Sequence, residues 1–195
     1  ELQTALEARA VRLRSDSDAE LVLRAYECWG IDCPHHIIGD FAFVVWDRLN
    51  QQLFCARDIL GTRPFYYCRN DRRLLWASEL RALFEDDAVR TAPNEGMIGE
   101  YLANAIMNNE ETLFRDIVRL PPAHCLLVSP ANVRVRRYWD IDPLREIRYR
   151  RDEDYAEHFL SLFKEAVRSR LRSHRPIGAD LSGGLDSSSV VSMTQ

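Results

Sequence analysis

The residues of this chain whose types and spacing could do chemistry lie at Ser182-Gly183-Gly184-Leu185-Asp186-Ser187-Ser188. Two adjacent glycines let the backbone take positive φ and come close to a ligand. Leu185, Val190, Val191 and Met193 recur at helical spacing, which predicts a helix opening at Leu185. The first free N–H groups of such a helix, and its dipole, present positive character to an anion. Ser182, Ser187 and Ser188 add hydroxyl donors. Asp186 narrows the reading, because a carboxylate beside phosphates is repulsive unless a divalent cation lies between them. The loop therefore predicts a Mg2+-nucleotide site with Asp186 as the metal ligand. It is not a Walker loop, since that motif needs a lysine and the chain has only Lys164. A glycine turn before a Ser- or Asp-capped helix is the plain alternative, and the paired serines with Asp186 weigh against it.

Positioning this loop needs a strand before it and a helix after it, and a short apolar strand ending near Leu181 is expected. Further back, Tyr155, Phe159, Leu162, Phe163, Val167 and Leu171 share one face of a long amphipathic helix. Asp140 to Arg151 is polar, contains a proline and has no sustained pattern, so it reads as a linker. In the remainder, "FAFVVWD" and "LFCARD" flank a polar turn and predict a hairpin. "FYYCRN" and "RLLWAS" around Asp71-Arg72 predict a second, and "CLLVSP" with "VRVRRYWD" a third. The first pair is apolar at successive positions, which requires cover on both faces and predicts stacked sheets with helices outside. "SDSDAELVLRAYECWG" carries a capping box from Ser17 to Glu20 and predicts a helix of about three turns. "ELQTALEARA" and "MIGEYLANAI" predict two more helices, and "LFEDDAVRTAP" a loop.

Composition sets the limits. With 195 residues, 46% hydrophobic and 29% charged, the chain can bury a sizeable core. A net charge of −4 from 26 basic and 30 acidic residues gives no electrostatic reason to expect nucleic acid. No apolar run approaches membrane-spanning length and no signal-peptide pattern opens the chain, so no membrane partner is expected and the cytoplasm is the expected location. Five cysteines lie mostly in apolar segments, which predicts reduced thiols. The chain opens on Glu1 inside a helical pattern and closes soon after the loop, which reads as truncation at both ends.

The segments "SDSDAELVLRAYECWG", "GDFAFVVWD", "LFCARDILGTRPFYY", "LLWASELRALF", "TLFRDIVRLPPAHCLLV", "RRYWD" and "RPIGADLSGGLDSSSV" resemble, in order and approximate spacing, the glutamine-dependent asparagine synthetases. The resemblance implies an α+β chain. Residues 1–139 would be a partial glutaminase domain, an Ntn-type αββα sandwich lacking its N-terminal strands. Residues 140–151 would be the linker, and 152–195 the start of an α/β domain of ATP-pyrophosphatase type. It implies glutamine, ATP and aspartate or another carboxylate as substrates, Mg2+ as cofactor, and a homodimer of the full-length protein.

By the same resemblance Asp18 holds the glutamine α-amino group, although a first-turn aspartate is favoured by the helix dipole in any case. Ser182, Gly183, Gly184, Leu185, Asp186, Ser187 and Ser188 form the pyrophosphate loop, and backbone at Asp180 and Leu181 contacts adenosine. An apolar residue is usual at position 180. Asp180 departs from that pattern and leans toward relatives that close amide rings in peptides or β-lactams. The family's nucleophilic N-terminal cysteine, its carboxylate-binding arginine and its oxyanion hole have no counterpart here, so no catalytic residue is assigned and the chain alone is expected to be inactive. A non-catalytic remnant of the fold is the third reading.

Three other constellations have bland explanations. Cys28, Cys33, His35 and His36 have loose metal-ligand spacing, but Cys28 sits on the apolar face of a helix. His124 and Cys125, as neighbours in a strand, point to opposite faces. Arg57, Asp58 and Arg63 are expected to brace the turn after the hairpin through ion pairs, with catalysis the minority reading.

Overall fold

The computed structural model describes residues 1–70, 73–173 and 175–194. It opens with α1 (Leu2–Glu7), α2 (Asp18–Trp29) and a 3-10 segment, Gly30–His36. The strands β1 (Ala42–Asp47), β2 (Gln52–Arg57), β3 (Tyr66–Arg69) and β4 (Leu74–Ala77) follow, then α3 (Leu80–Phe84) and α4 (Glu95–Leu102). After them come β5 (Ile117–Arg119), β6 (His124–Val128), β7 (Val133–Arg137), α5 (Asp152–Arg170) and α6 (Leu185–Ser192). Two compact units divide the chain, Glu1–Ile141 and Asp142–Gln195.

The first unit is built on strands that serve two cores at once. A four-stranded antiparallel sheet has the order β1-β2-β6-β7, with Val44 opposite Cys55 and Cys55 opposite Leu126. Side chains of successive strand residues point to opposite faces. Val45, Phe54, Ala56 and Cys125 therefore join a core with Ala25 of α2, Cys33 and Tyr138. Their neighbours Val44, Cys55 and Leu126 join another with Phe65, Tyr67 and Leu120. Tyr67 lies on β3, the middle strand of a second sheet ordered β4-β3-β5. The layers run helix, sheet, sheet, as the unbroken apolar runs of β1 and β2 require.

Local chemistry sets the element ends. The Ser17 hydroxyl accepts from the Glu20 N–H at 3.3 Å and caps α2. The reciprocal half of the expected capping box is absent. The Glu20 carboxylate turns instead to the Arg14 N–H at 3.1 Å and to Arg24 at 2.8 Å, the second a charge-assisted bond. The first helix is shorter than expected because Ala10 has φ +60°. Leu83 and Phe84, expected in a loop, close α3 with Phe84 edge-on to Phe114, and α4 starts at a cap on Asn94 and stops at Leu102. The pairing of β3 with β4 agrees with the expected second hairpin; its Asp71-Arg72 turn lies outside the described residues.

Asp47 closes the first hairpin. Its carboxylate accepts from the Leu49 and Asn50 N–H groups, both at 3.0 Å, from Asn50 Nδ2 at 2.7 Å and from the Tyr26 hydroxyl at 3.1 Å. These bonds, those from Asn50 foremost, hold its carboxyl below the ordinary value. A lowered folded-state pKa gives stability that is present above the unfolded pKa of about 4 and lost as pH falls through the folded value. Urea midpoints measured against pH are expected to drop below about pH 4 by less in D47N than in the parent chain. Parallel curves would remove Asp47 from the acid response.

The second unit contains α5, with Asp152, Glu153 and Asp154 in its first turn and Arg168 and Arg170 in its last, complementing the helix dipole. Asp140–Arg151 carries neither helix nor strand. Tyr149 ties the end of this stretch to α5, its N–H donating to the Tyr155 hydroxyl at 2.9 Å and its hydroxyl meeting His158 Nδ1 at 2.6 Å. The strand expected to end near Leu181 does not form. No second strand pairs with it among the described residues of this unit, and Leu181 is 60% exposed. A parallel strand has no hydrogen-bond partners of its own and forms only beside a neighbour.

Candidate functional site

In the first unit, β1 is the outermost strand of its sheet among the described residues, and a groove of about 830 Å³ runs along it. Consecutive residues Phe41 to Trp46 line it. Asp18, Ala19, Val22 and Leu23 of α2 make one wall; Arg63, Pro64, Ser78 and Glu79 make the other. Asp18 thus reaches a concave site through the first turn of the helix that Ser17 caps. Among the described residues its carboxylate has no hydrogen-bond or ion-pair partner.

Arg63 comes to the opposite wall on a turn whose polar groups are satisfied from within. Asp58, 1% exposed, accepts from the N–H groups of Leu60 at 3.1 Å, Thr62 at 2.9 Å and Arg63 at 3.0 Å. Arg57 donates to the carbonyls of Arg63 at 2.8 Å, Leu120 at 2.6 Å and Gly61. Gly61 sits at φ +65°, and a Cβ there would lie 2.7 Å from Pro122 Cγ. The expected brace is real, but it consists of hydrogen bonds to backbone rather than ion pairs among these side chains. Arg57 and Asp58 are consumed by the turn; the Arg63 side chain has no partner among the described residues.

The remaining constellations are accounted for by packing. His36 stacks on Trp29 at 4.1 Å and His35 meets Tyr138 edge-on at 5.7 Å. No group of three or more metal-binding side chains occurs among the described residues. His124 Nδ1 lies 2.7 Å from the Pro122 carbonyl while the Cys125 thiol is directed to the Arg136 carbonyl at 3.4 Å, so the two do not form a pair. Burial pushes the thiols of Cys33 and Cys55 up to about 12, which leaves both protonated and poor nucleophiles. All five cysteines are free. No helix among the described residues is long and apolar enough to cross a membrane.

In the second unit the loop closes on itself. The Ser182 and Ser187 hydroxyls meet at 2.9 Å, the Ser182 N–H donates to Ser187 Oγ at 3.3 Å, and Gly183 takes φ +81°. Gly184 is the N-cap of α6, and no side chain caps the helix. Asp186 stands in its first turn, beside backbone N–H groups that have no intrahelical acceptor. Asp180, Leu181 and Leu185 are exposed. Sequence reasoning reached Asp18 and this loop but missed Arg63, Ser78 and Glu79 as groove residues. Arg63 precedes the β3–β4 hairpin and Ser78 and Glu79 follow it, and the antiparallel pairing of the two strands brings them to one wall.

A family model for the glutamine amidotransferase domain matches residues 1–139, and one for asparagine synthase matches residues 158–195. Asparagine synthetase [glutamine-hydrolyzing] 3 of Bacillus subtilis is 33% identical over 194 residues, covering 99% of this chain and 31% of that protein. Amidase chry2 of Gibberella zeae is 33% identical over 187 residues, covering 91% of this chain and 26% of that protein. The chain spans about a third or less of the length of these relatives. Among solved structures, a glutamine phosphoribosylpyrophosphate amidotransferase from B. subtilis overlaps 71% of this chain and 26% of its own, with TM-score 0.46 and 14% identity. On its matching segments and its identity to these relatives, the chain belongs to the glutamine-dependent asparagine synthetase family, residues 1–139 matching the glutamine amidotransferase domain.

Proposed function

We propose that the full-length protein is an ATP-dependent amidoligase. A substrate carboxylate oxygen attacks the α-phosphorus of ATP and diphosphate leaves; glutamine-derived ammonia then attacks the acyl carbon and AMP leaves. With aspartate as the carboxylate, the product is asparagine. The observation that carries this reading is Asp18, an unpartnered carboxylate on the wall of the groove in the amidotransferase unit. A carboxylate is what a bound α-ammonium group requires. The helix, sheet, sheet layering supports an Ntn-type αββα sandwich as the frame.

Asp180 to Ser188 take the nucleotide in this reading. The donor set fits: α6 opens without a side-chain cap, the Ser182–Ser187 bond holds the turn closed, and Asp186 supplies a hard oxygen ligand beside free N–H groups. Mg2+, when bound there, would neutralise phosphate charge. Asp186 would hold it and the backbone N–H groups would orient the phosphates.

A second reading keeps the ligase and changes the acceptor, so that an amine of the substrate itself closes an amide ring. Asp180 favours it, since a carboxylate where an apolar residue is usual changes what the site admits.

The test uses the full-length enzyme. D186N is expected to lower ATP–pyrophosphate exchange by roughly a hundredfold or more and leave glutaminase turnover within a factor of about three. D18N is expected to raise the glutamine KM by roughly a hundredfold and leave ammonia-supported synthesis intact. The 195-residue chain alone is expected to show neither activity. Exchange that is indifferent to D186N would overturn the assignment of the loop, and exchange with a peptide carboxylate but not aspartate would select the second reading.

A further inference from the structure

A second concavity in the first unit lies away from the groove, on the outer face of the three-stranded sheet. Tyr67 of β3 joins the core between the two sheets, so Cys68, its neighbour, points the other way. The register places Leu75 of β4 and Ile117 of β5 on either side of Cys68. These three side chains form one apolar row across the sheet and floor a pocket of about 290 Å³. Its rim is basic. Arg69 ends β3, Arg73 precedes β4 and Arg90 comes from the connection between α3 and α4.

Two bonds between Asn70 and Arg73 fix the spacing of the first two arginines. The Asn70 N–H donates to the Arg73 carbonyl at 3.0 Å, and the Arg73 N–H donates to Asn70 Oδ1 at 2.9 Å. Arg73 has a counter-ion in Asp86, at 3.5 Å. Arg69 and Arg90 have none among the described residues. Two guanidinium groups gathered at one rim repel each other unless an anion joins them, in a chain whose net charge is −4. Among the described residues Asp116, with φ +65°, is the one acid lining the pocket, and it does not balance both.

We propose that this pocket binds a small organic anion, its apolar body against Cys68, Leu75 and Ile117 and its carboxylate or phosphate between Arg69 and Arg90. Guanidinium forks match both of those groups in a bidentate manner. The volume, at the lower end of ligand pockets of about 300–1,000 Å³, suits a ligand of roughly one ring. The site is independent of the glutamine and nucleotide assignments and survives if they fail.

The full chain is titrated with benzoate and with phenyl phosphate, following the NMR signals of Leu75 and Ile117, with acetate and benzyl alcohol as half-ligands. At least one of the aromatic anions is expected to bind with a Kd below about 1 mM, moving both floor signals. Each half-ligand is expected to bind at least about tenfold more weakly. R69Q/R90Q is expected to lose roughly tenfold or more, and R90Q alone, in a connecting loop, serves if the double variant does not fold. Binding that is unchanged in these variants, acetate as tight as benzoate, or no shift at Leu75 and Ile117 up to 10 mM with either aromatic anion would overturn the proposal.

Discussion

Asp58→Ala is expected to cost about 3–5 kcal/mol of stability, more than any surface substitution in the chain. The carboxylate is almost fully buried and accepts from three backbone N–H groups, those of Leu60, Thr62 and Arg63. Removing it leaves those donors without acceptors where water does not reach them easily, at about 1–3 kcal/mol each before relaxation. The Asp58 backbone is committed as well, its N–H to the Phe41 carbonyl and its carbonyl to the N–H groups of Gly61 and Ala123. The turn therefore cannot shed strain by moving away from β1 or from the segment before β6. Asp58→Asn retains the shape and one acceptor oxygen and is expected to cost less than the alanine. Urea unfolding is the measurement. A loss under about 1 kcal/mol with an unchanged m value would mean that water replaces the carboxylate. Because Arg63 hangs on the same turn, its place on the groove wall should blur together with the stability.

Phe54→Ala is expected to cost about 3–5 kcal/mol. Phe54 is 0% exposed in the middle of β2, with the rings of Tyr26 at 5.2 Å and Phe43 at 6.0 Å. The ring sits between the sheet and α2, and both are fixed by hydrogen bonds, so the space cannot collapse freely. Cys55→Ala, one residue along and on the opposite face, removes a single sulfur and is expected to cost about 1–2 kcal/mol. The contrast between adjacent positions tests the two-core arrangement. If the two substitutions cost the same, the layers are not packed as described.

Much of this frame is legible in the sequence because it rests on short-range chemistry. The hairpin turn between β1 and β2, the Ser17 cap and the apolar face of α5 are all local patterns, and each leaves a mark within a few residues. What escapes has its cause elsewhere in the chain. Three residues, Ile117–Arg119, become β5 only because β3 pairs with them across about fifty positions. Residues 177–181 have the look of a strand but no neighbour to bond to among the described residues. Asp18 was legible as a candidate because it stands beside a cap in a family motif. Arg63 was not, since its meaning depends on Asp58 and Arg57 spending their charges on the backbone and leaving one cation over. Glu20 shows the same limit on a smaller scale. The capping-box pattern is present, but Arg24 one turn away takes the glutamate.

The central position of β2 also bears on how the protein is made. The β1–β2 hairpin is complete in sequence at Arg57, yet its other neighbour, β6, begins at His124. At about 5–20 residues per second, a ribosome needs several seconds to deliver it. For that interval the hairpin carries two apolar faces and an unmatched inner edge, and closing a loop of this size is entropically unfavourable until β6 adds its contacts. β6 thus docks onto a hairpin that has already been exposed for that interval. Holding that hairpin in its correct register until then is a kinetic task set by strand order alone.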